Sequence, residues 1–417
     1  MPTIKKLKTG ARLVMEYIPY VESCCLGIWA GAGAATEDLR YSGISHFVEH
    51  MMFKGTEKRS ARDIAADIDR IGGQINAFTG KEATCYYVKS TSQNFFRAAE
   101  VLVDMLMHSV FSKEELDRER LVVMEEIKMY QDTPDEVAHE TAGELLLKGK
   151  NIGNSILGRP QTLARIDSGI MHDYVDRLYT MDNIVISVAG NYKEDEVVSF
   201  FETEFFRPRR KDPVAEKRDA DYVPSFKSVV KDIEQTHICM ATPGVPQTSR
   251  QYSAFSLLAN IMGGSMGSRL FQSIREQKGL AYSVYSANAS YAHEGYFEIY
   301  AGVTTERAKE AVRAIKDELC LLADKGITEE ELESSREQMK AAYVFSRESV
   351  AAHMLKNGRN LLLLNRIYSP EEVLSDFDAV DMKAIGRVIK KIADPASYTA
   401  VCVSGRRFDV RRMMRGK

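Results

Sequence analysis

FSKEELDRERLVVMEEIKM (Phe111–Met129) has a counterpart in GITEEELESSREQMKAAYV (Gly326–Val344), and this pair of segments indicates how the chain is built. The two segments align when Leu116 is placed on Leu332. The first segment has the 3.6-residue apolar pattern of an amphipathic helix. A recurrence over so long a distance predicts that the second half of the chain repeats the first.

Two strand-like segments support the same duplication. NIVISVAGN and SYTAVCVSGR each end an alternating pattern on a small residue and glycine, and placing Gly190 on Gly405 gives almost the same offset as the helical pair. A chain of 417 residues is also too long for one hydrophobic core. Between the halves, the charged segment RPRRKDPVAEKRDADYVPS contains three prolines and is typical of a linker. We therefore predict domains at 1–208 and 225–417, joined by a linker at 209–224.

Each half mixes the two periodicities. ARLVMEYIPY, SCCLGIWAGAG, ATCYYVKSTS and GYFEIYAGVT have the pattern of strands, whereas NFFRAAEVLVDMLMH and ERAKEAVRAIKDELCLLADKG have that of amphipathic helices. The order of these segments predicts an α+β fold. We expect two homologous domains, each a mixed, mostly antiparallel β-sheet with helices packed on one face.

Composition excludes several classes of protein. A net charge of −3 and a pI near 6.3 give no electrostatic reason to expect nucleic acid or an anionic membrane as a partner. The sequence contains no apolar run of the roughly 18–20 residues that span a membrane, and its N-terminus lacks a signal-peptide pattern. The six cysteines form no CxxC pair and are interpreted as buried, reduced thiols. These features predict a cytoplasmic protein, or a mature one whose targeting segment is absent.

The segment SHFVEHMMFKGT contains His46, Glu49 and His50 in an H-x-x-E-H arrangement. On a helix, side chains four residues apart lie on one face, so two imidazoles can bind one zinc ion while Glu49 lies beside it. The alternative is a pair of core or surface histidines with this spacing by chance. The six other histidines show no ligand spacing and receive no role: His108, His139, His172, His237, His293 and His353.

A catalytic zinc site usually has a third protein ligand, and ERLVVMEEIKMY offers three glutamates. Glu119 and Glu126 are two helical turns apart and share a helix face beside the apolar stripe, whereas Glu125 points about 100° away. A ligand at Glu126 with Glu119 bonded to a ligand histidine would explain two carboxylates near the core. An exposed helix with both glutamates solvated is equally compatible with the sequence.

HFVEHMMFKGT followed by RLVVMEEIKMYQDTPDE resembles the pitrilysin family of inverzincin peptidases, which includes insulin-degrading enzyme and the mitochondrial processing peptidase. GGSMGSRLFQSIREQKGLAYSVYS, in the second half, resembles the same family, so the resemblance covers the whole chain. The family's spacing from the motif's last histidine to the third ligand implies Glu126, with Glu119 as its supporting carboxylate. The resemblance implies one zinc ion per chain, Glu49 as the general base and a peptidase acting on peptides or unfolded polypeptides.

The resemblance also implies substrate contacts. Asn76, Ala77 and Phe78 would form an edge strand that pairs with the peptide backbone, although a plain edge strand with a packed Phe78 explains the same residues. Arg275 and Tyr282 would hold the scissile carbonyl and the developing oxyanion, although such residues are usually surface and half-buried structural groups.

Longer relatives join four such domains into a chamber that closes like a shell, so this chain resembles the short bacterial members, with half a chamber. A homodimer with composite active sites is therefore expected. One alternative is a catalytically inactive structural or partner-binding subunit, because members of the respiratory core share the fold. Another is a zinc hydrolase with a different substrate.

Overall fold

The computed structural model describes residues 2–206 and 221–416. Alternating apolar segments form eleven strands within these ranges: β1 (Thr3–Lys6), β2 (Arg12–Tyr17), β3 (Ser23–Ala30), β4 (Gln74–Thr79), β5 (Thr84–Thr91), β6 (Ile184–Gly190), β7 (Phe226–Val230), β8 (Gln235–Pro243), β9 (Ala281–Ser290), β10 (Gly295–Thr304) and β11 (Thr399–Ser404). All the segments predicted as strands are strands.

Amphipathic segments of the same ranges form fifteen α-helices: α1 (Ile44–Met52), α2 (Ala61–Arg70), α3 (Phe95–His108), α4 (Lys113–Gln131), α5 (Pro134–Leu146), α6 (Pro160–Leu163), α7 (Ser168–Leu178), α8 (Glu194–Glu204), α9 (Tyr252–Gly263), α10 (Ala308–Lys325), α11 (Glu329–Ser346), α12 (Val350–Leu364), α13 (Pro370–Asp378), α14 (Met382–Ile392) and α15 (Val410–Arg415). The two segments that revealed the duplication are α4 and α11. A π-helix over Phe271–Gln277 precedes β9.

The strands form two sheets that share one connectivity, apart from β1, which is an additional strand of the first sheet. The first has the order β1-β2-β6-β3-β5-β4 and the second the order β7-β11-β8-β10-β9. In each sheet one pair is parallel, β2 with β6 and β7 with β11, and the other pairs are antiparallel. The predicted α+β fold with two mixed, mostly antiparallel sheets is confirmed.

Strand register gives the duplication a residue-level form. Across the first sheet, one row of paired residues runs through Arg12, Val185, Trp29, Cys85 and Phe78. The matching row of the second sheet is Lys227, Val401, Cys239, Tyr300 and Tyr285. The separation of Val185 and Val401 along the chain equals that of Leu116 and Leu332, so the β6/β11 pair and the α4/α11 pair repeat at one offset.

One face of each sheet carries the main hydrophobic core. In β3, Leu26 and Ile28 point into a core shared with Phe47 of α1 and Leu102 of α3. In β8, Ile238 and Met240 belong to the corresponding core of the second sheet, which includes residues of α9, α10 and α14. Burial of both sheet cores provides the main driving force for folding, at about 25 cal/mol per Å² of apolar area.

A further helix covers the opposite face of each sheet, which was not predicted from the sequence. α12 packs against β2, β3 and β6, and α5 packs against β8 and β11. Because of this second layer, all but the first residue of β3 and all residues of β6 are buried. A strand buried on both faces has a nearly continuous apolar sequence, so alternation does not show which helix covers it.

The chain forms two compact units, and each unit includes one segment from the other half of the sequence. The first unit contains Phe345–Ile367, which includes α12, and the second contains Lys128–Gly153, which includes α5. This division differs from contiguous domains at 1–208 and 225–417, because amphipathic helices carry no information about which sheet they cover. Most of the predicted linker, residues 209–220, lies outside the described residues.

The cysteines and the helix lengths bear on two further expectations. Cysteines 24, 25, 85, 239 and 402 are buried thiols, whereas Cys320 of α10 is exposed, so the expectation of burial is wrong for that residue. Cys320 lies on a helix face outside the core.

Across residues 2–206 and 221–416, none of the helices combines the length and the apolar character that crossing a bilayer requires.

Candidate metal centre

The helix that carries the H-x-x-E-H motif has a fixed starting point. Gly43 precedes α1 with a φ of 94°, and a Cβ there would lie 2.7 Å from the Leu157 carbonyl oxygen. The Glu37 carboxylate accepts the N–H groups of Gly43 at 2.7 Å and Ser45 at 2.9 Å, and burial raises its pKa to about 7. Glu37 was not predicted from the sequence, although an acidic residue shortly before a helix is a general signal for such a cap.

His46 and His50 lie one turn apart on α1, as the motif predicts. Their Nε2 atoms are 3.2 Å apart, and Glu126 of α4 places Oε2 at 3.6 Å from His46 Nε2 and 3.5 Å from His50 Nε2. These three donors form a nearly equilateral triangle. The structure thus brings together the three predicted ligands, whereas Glu125 is exposed on α4.

The surroundings of the three donors shift their pKa values in different directions. Burial, with a smaller contribution from His50, lowers the pKa of His46 to about 4, so this ring is neutral near pH 7. Burial also lowers the pKa of His50, but Glu126 and Glu119 raise it by more, to above its ordinary value. A hydrogen bond from His50 lowers the pKa of Glu126. The cluster therefore contains one neutral imidazole, a basic imidazole and an anionic carboxylate.

This donor set fits a zinc ion. Bonds of about 2.0–2.1 Å from zinc to nitrogen and oxygen place neighbouring donors about 3.3 Å apart in a tetrahedral site. The observed separations of 3.2–3.6 Å are close to that value. Two imidazole nitrogens facing each other at 3.2 Å need a shared cation or proton, because two lone pairs repel. The residues present can therefore hold a zinc ion through two nitrogens and one oxygen.

Glu119 lies behind the donors, in the position predicted from the sequence. It is 5% exposed, and its Oε1 is 2.8 Å from His50 Nδ1. Its second oxygen pairs with Lys54 Nζ at 2.7 Å, a partner that the sequence did not indicate. Because Glu119 binds Nδ1, the Nε2 lone pair of His50 is directed at the other two donors.

Glu49 lies beside the triangle and contacts the edge strand. The Thr79 hydroxyl of β4 donates a hydrogen bond to Glu49 Oε2. Burial raises the pKa of Glu49 above its ordinary value. A raised pKa brings a carboxylate closer to the range in which a general base exchanges protons near neutral pH. Thr79, three positions after Asn76, was not predicted from the sequence.

The residues proposed for substrate contact occupy the last strand of the first sheet. β4 pairs with β5 along one side, and within the described residues its other side has no strand partner. Asn76, Ala77 and Phe78 alternate between exposed and half-buried positions. Phe78 is 39% exposed and packs edge-on against Trp29, with ring centroids 5.5 Å apart. An edge strand is present, and its Phe78 is partly packed, as the plainer interpretation predicts.

Arg275 and Tyr282 contact each other within the second unit. The Arg275 guanidinium lies 4.9 Å from the Tyr282 ring centroid and 4.7 Å from that of Phe271. Tyr282, on β9, is 80% exposed. A cation over an aromatic face restrains both side chains while the phenol remains accessible.

Comparison with known proteins gives a consistent result. The model of the insulinase family, peptidase family M16, matches residues 12–159, and the model of the M16 inactive domain matches residues 165–339. A Bacillus subtilis protein described as the uncharacterized zinc protease YmxG is 40% identical over 385 residues, covering 92% of this chain and 94% of that protein. An uncharacterized zinc protease of Rickettsia felis is 34% identical over 95% of this chain and 96% of its own length.

Solved structures share the fold at lower identity. A peptidase M16 inactive domain from Pseudomonas fluorescens superposes with a TM-score of 0.90 at 16% identity, covering 98% of each chain. A protease from Helicobacter pylori has a TM-score of 0.88 at 20% identity, covering 97% of this chain and 99% of that one. These two likenesses concern the fold alone.

Proposed function

Since the chain belongs to the M16 peptidase family, to which insulinase belongs, we propose that it is a zinc metalloendopeptidase that hydrolyses peptide bonds in extended peptides held in a closed chamber. The observation that supports this proposal is the convergence of His46, His50 and Glu126 within 3.6 Å, beside the carboxylate of Glu49. A structural subunit has no need for three converging donors with a buried supporting carboxylate behind them.

Each residue of the proposed site has a separate role. His46, His50 and Glu126 would hold one zinc ion, with Glu119 orienting His50. When bound, zinc acts as a Lewis acid that lowers the pKa of a coordinated water and polarises a carbonyl. Glu49 accepts a proton from the attacking water and then passes it to the leaving amine nitrogen. Thr79 positions the carboxylate for both transfers by donating to Glu49 Oε2.

The edge strand supplies a way to hold an extended substrate. The open side of β4 can form backbone hydrogen bonds with a peptide, and such pairing depends little on the peptide's sequence. Asn76, Ala77 and Phe78 lie on this strand, and Thr79 at its end contacts Glu49. A peptide paired with β4 is therefore delivered to the residue that activates water.

Arg275 and Tyr282 are proposed to complete the site from another subunit of a homodimer. In this arrangement the guanidinium holds a substrate carbonyl and the exposed phenol donates a hydrogen bond to the oxyanion. Mixing an inactive Glu49→Gln chain with an inactive Tyr282→Phe chain tests it. A mixed dimer has one site with both lesions and one with neither, so activity should return. Proven subunit exchange without recovery of activity would exclude shared sites.

Cleavage of a mixed-length peptide library, with and without a chelator, tests the main proposal. We expect internal cleavage that the chelator abolishes and zinc restores. Glu49→Gln should retain stoichiometric zinc and lose nearly all cleavage, which separates catalysis by this protein from a contaminating peptidase. Full zinc occupancy with no cleavage of any peptide would favour the partner-binding alternative. A cytoplasmic location remains part of this proposal.

A further inference from the structure

A second group of metal-ligating side chains lies in the second unit, outside the site described above. His139 of α5, Cys239 of β8 and Glu298 of β10 place their donor atoms within 4.8 Å of one another. His139 Nδ1 is 3.2 Å from Glu298 Oε2, and Cys239 Sγ is 3.7 Å from each of these two atoms. The spacing of histidines in the sequence did not indicate a role for His139, because its partners are 100 and 159 residues away along the chain.

The fold places these side chains together through strand register and one covering helix. Cys239 pairs with Tyr300 across β8 and β10, and Glu298 precedes Tyr300 by two residues, so it lies on the same face of the sheet. α5 packs against this face and adds His139. The three donors therefore come from three elements of one rigid layer, as a preformed site requires.

The surroundings of the cluster fix the orientation of His139. Its Nε2 is 2.8 Å from the Tyr285 hydroxyl, and its ring stacks against Tyr300 with centroids 4.9 Å apart. Nδ1 is thus the ring nitrogen that faces Cys239 and Glu298. Metal-ligating histidines commonly use their other nitrogen for such a hydrogen bond, because it fixes both the tautomer and the ring plane.

Burial differs among the three donors. Cys239 is fully buried, and burial raises the pKa of its thiol well above the ordinary value. The side chains of His139 and Glu298 are 21% and 13% exposed, so an ion and a water molecule have a route of entry. Without a cation, the thiol keeps its proton and His139 shares one with Glu298.

We propose that His139, Cys239 and Glu298 form a second zinc site, with imidazole, thiolate and carboxylate ligands and a water molecule as the fourth. Bonds of about 2.0–2.3 Å in a tetrahedral site predict about 3.3 Å between nitrogen and oxygen and about 3.5 Å from sulfur to either. The observed distances are 3.2, 3.7 and 3.7 Å. Binding releases the thiol proton to solvent and moves the His139 proton from Nδ1 to Nε2, where it donates to the Tyr285 hydroxyl oxygen, so charge and atoms balance.

The role of this site is structural. Its sulfur is fully buried, on a central strand of the second sheet. The ion would tie α5, which comes from the first half of the sequence, to two central strands of the second sheet. Metal binding then raises the melting temperature of the second unit by mass action.

Cobalt substitution tests the proposal without using activity, because only a thiolate ligand gives a sulfur-to-cobalt charge-transfer band in the near ultraviolet. In a His46→Ala/His50→Ala chain, which silences the first site, we expect one equivalent of Co²⁺ and this band. Adding Cys239→Ser should remove both. Cys320→Ser, which removes the exposed thiol, should leave both unchanged and serves as the matched control.

Two further measurements keep the test decisive. If Cys239→Ser does not fold, His139→Gln in the same background should remain folded by circular dichroism and lose the bound cobalt. Wild-type protein should bind two equivalents of Zn²⁺ and the His46→Ala/His50→Ala chain one. A wild-type stoichiometry of one, or a charge-transfer band that survives Cys239→Ser, would mean that the three side chains form only a hydrogen-bonded network.

Discussion

The two units have equivalent sheets, and one helix covers the equivalent face of each. The side chains between helix and sheet differ between the two units. Beneath α12, the first unit packs Trp29 and Cys85 into an apolar cluster that includes Leu361. In the second unit the paired positions are Cys239 and Tyr300, and Glu298 and His139 lie around them. The duplicated fold thus keeps its backbone register. The interface between sheet and helix is apolar in the first unit and contains titratable side chains in the second.

Side-chain volume is exchanged between sheet and helix in these interfaces. In the first unit, Gly27 lies beneath Met354, and Gly358 of α12 lies against Trp29. At the corresponding positions of the second unit, the first pair is reversed in size, with histidine at 237 and alanine at 138, whereas the second pair has small residues in both layers, cysteine at 239 and alanine at 142. In the first pair, moving the large residue from the helix to the strand keeps the summed side-chain volume of the two layers similar.

On the opposite face of the two sheets, the metal-donor residues within the described ranges lie in the first unit and not in the second. The first unit has His46, His50 and Glu126 between α1 and α4. At the offset that places Leu116 on Leu332, Glu126 corresponds to Ala342, which is exposed on α11. The duplication therefore did not preserve the chemical character of side chains at equivalent positions. A side chain of one unit can be substituted without changing the other unit.

The largest expected effect separates catalysis from metal binding in the first unit. Glu49→Gln should lower peptidase turnover by about 10²–10⁴-fold, because glutamine keeps the shape of the side chain and cannot accept a proton. Zinc content should stay at the wild-type level when measured by mass spectrometry. Loss of zinc comparable to that of His50→Ala would make Glu49 a ligand instead.

Equivalent positions of α4 and α11 give the next comparison. Glu126→Gln should weaken zinc binding by more than the roughly 10–100-fold typical of residues behind the ligands, because it replaces a donor of the triangle. Ala342→Gln, at the matching position, and Glu125→Gln, one residue away, should change zinc affinity little. Metal titration of the three variants decides the matter, and an equal loss at 125 would move the ligand.

A supporting carboxylate should matter less than a ligand. Glu119→Gln should reduce zinc affinity by about 10–100-fold, because the charged acceptor that orients the His50 ring is replaced by a neutral and weaker amide oxygen. Exposed Glu114 on the same helix provides a control, and Glu114→Gln should leave affinity unchanged. If the two variants behave alike in metal titration, Glu119 serves only its ion pair with Lys54.

The smallest effects compare one substitution in the two units. A Cβ at Gly358 would lie 2.2 Å from Trp29 Nε1, whereas one at Gly386 of α14 would meet nothing within 4 Å. Gly358→Ala should therefore lower the free energy of unfolding by about 1–2 kcal/mol through overpacking. Gly386→Ala should raise it by about 0.5–1 kcal/mol through helix propensity. Chemical denaturation measures both, and equal signs would contradict the packing argument.

Local periodicity in the sequence predicted the features that depend on it. Helical spacing placed His46 and His50 on one face and separated Glu126 from Glu125, and the two similar helices revealed the offset that strand register reproduces. Thr79 could not be found this way, because its contact with Glu49 depends on how α1 packs against β4. The cluster at His139 could not be predicted for the same reason, because its three distant residues meet only after the second sheet has formed.

The exchange of α5 and α12 has a consequence for the order of events during synthesis. Trp29 and the buried strands β3 and β6 leave the ribosome early, but α12, which covers them, ends only at Leu364. At about 5–20 residues per second, the roughly 160 residues from Gly190 to Val350 take on the order of 10–30 s to translate. During that interval one face of the first sheet stays uncovered, so a nascent chain exposes the apolar surface that chaperones bind, and a stalled ribosome releases a first unit without its outer layer.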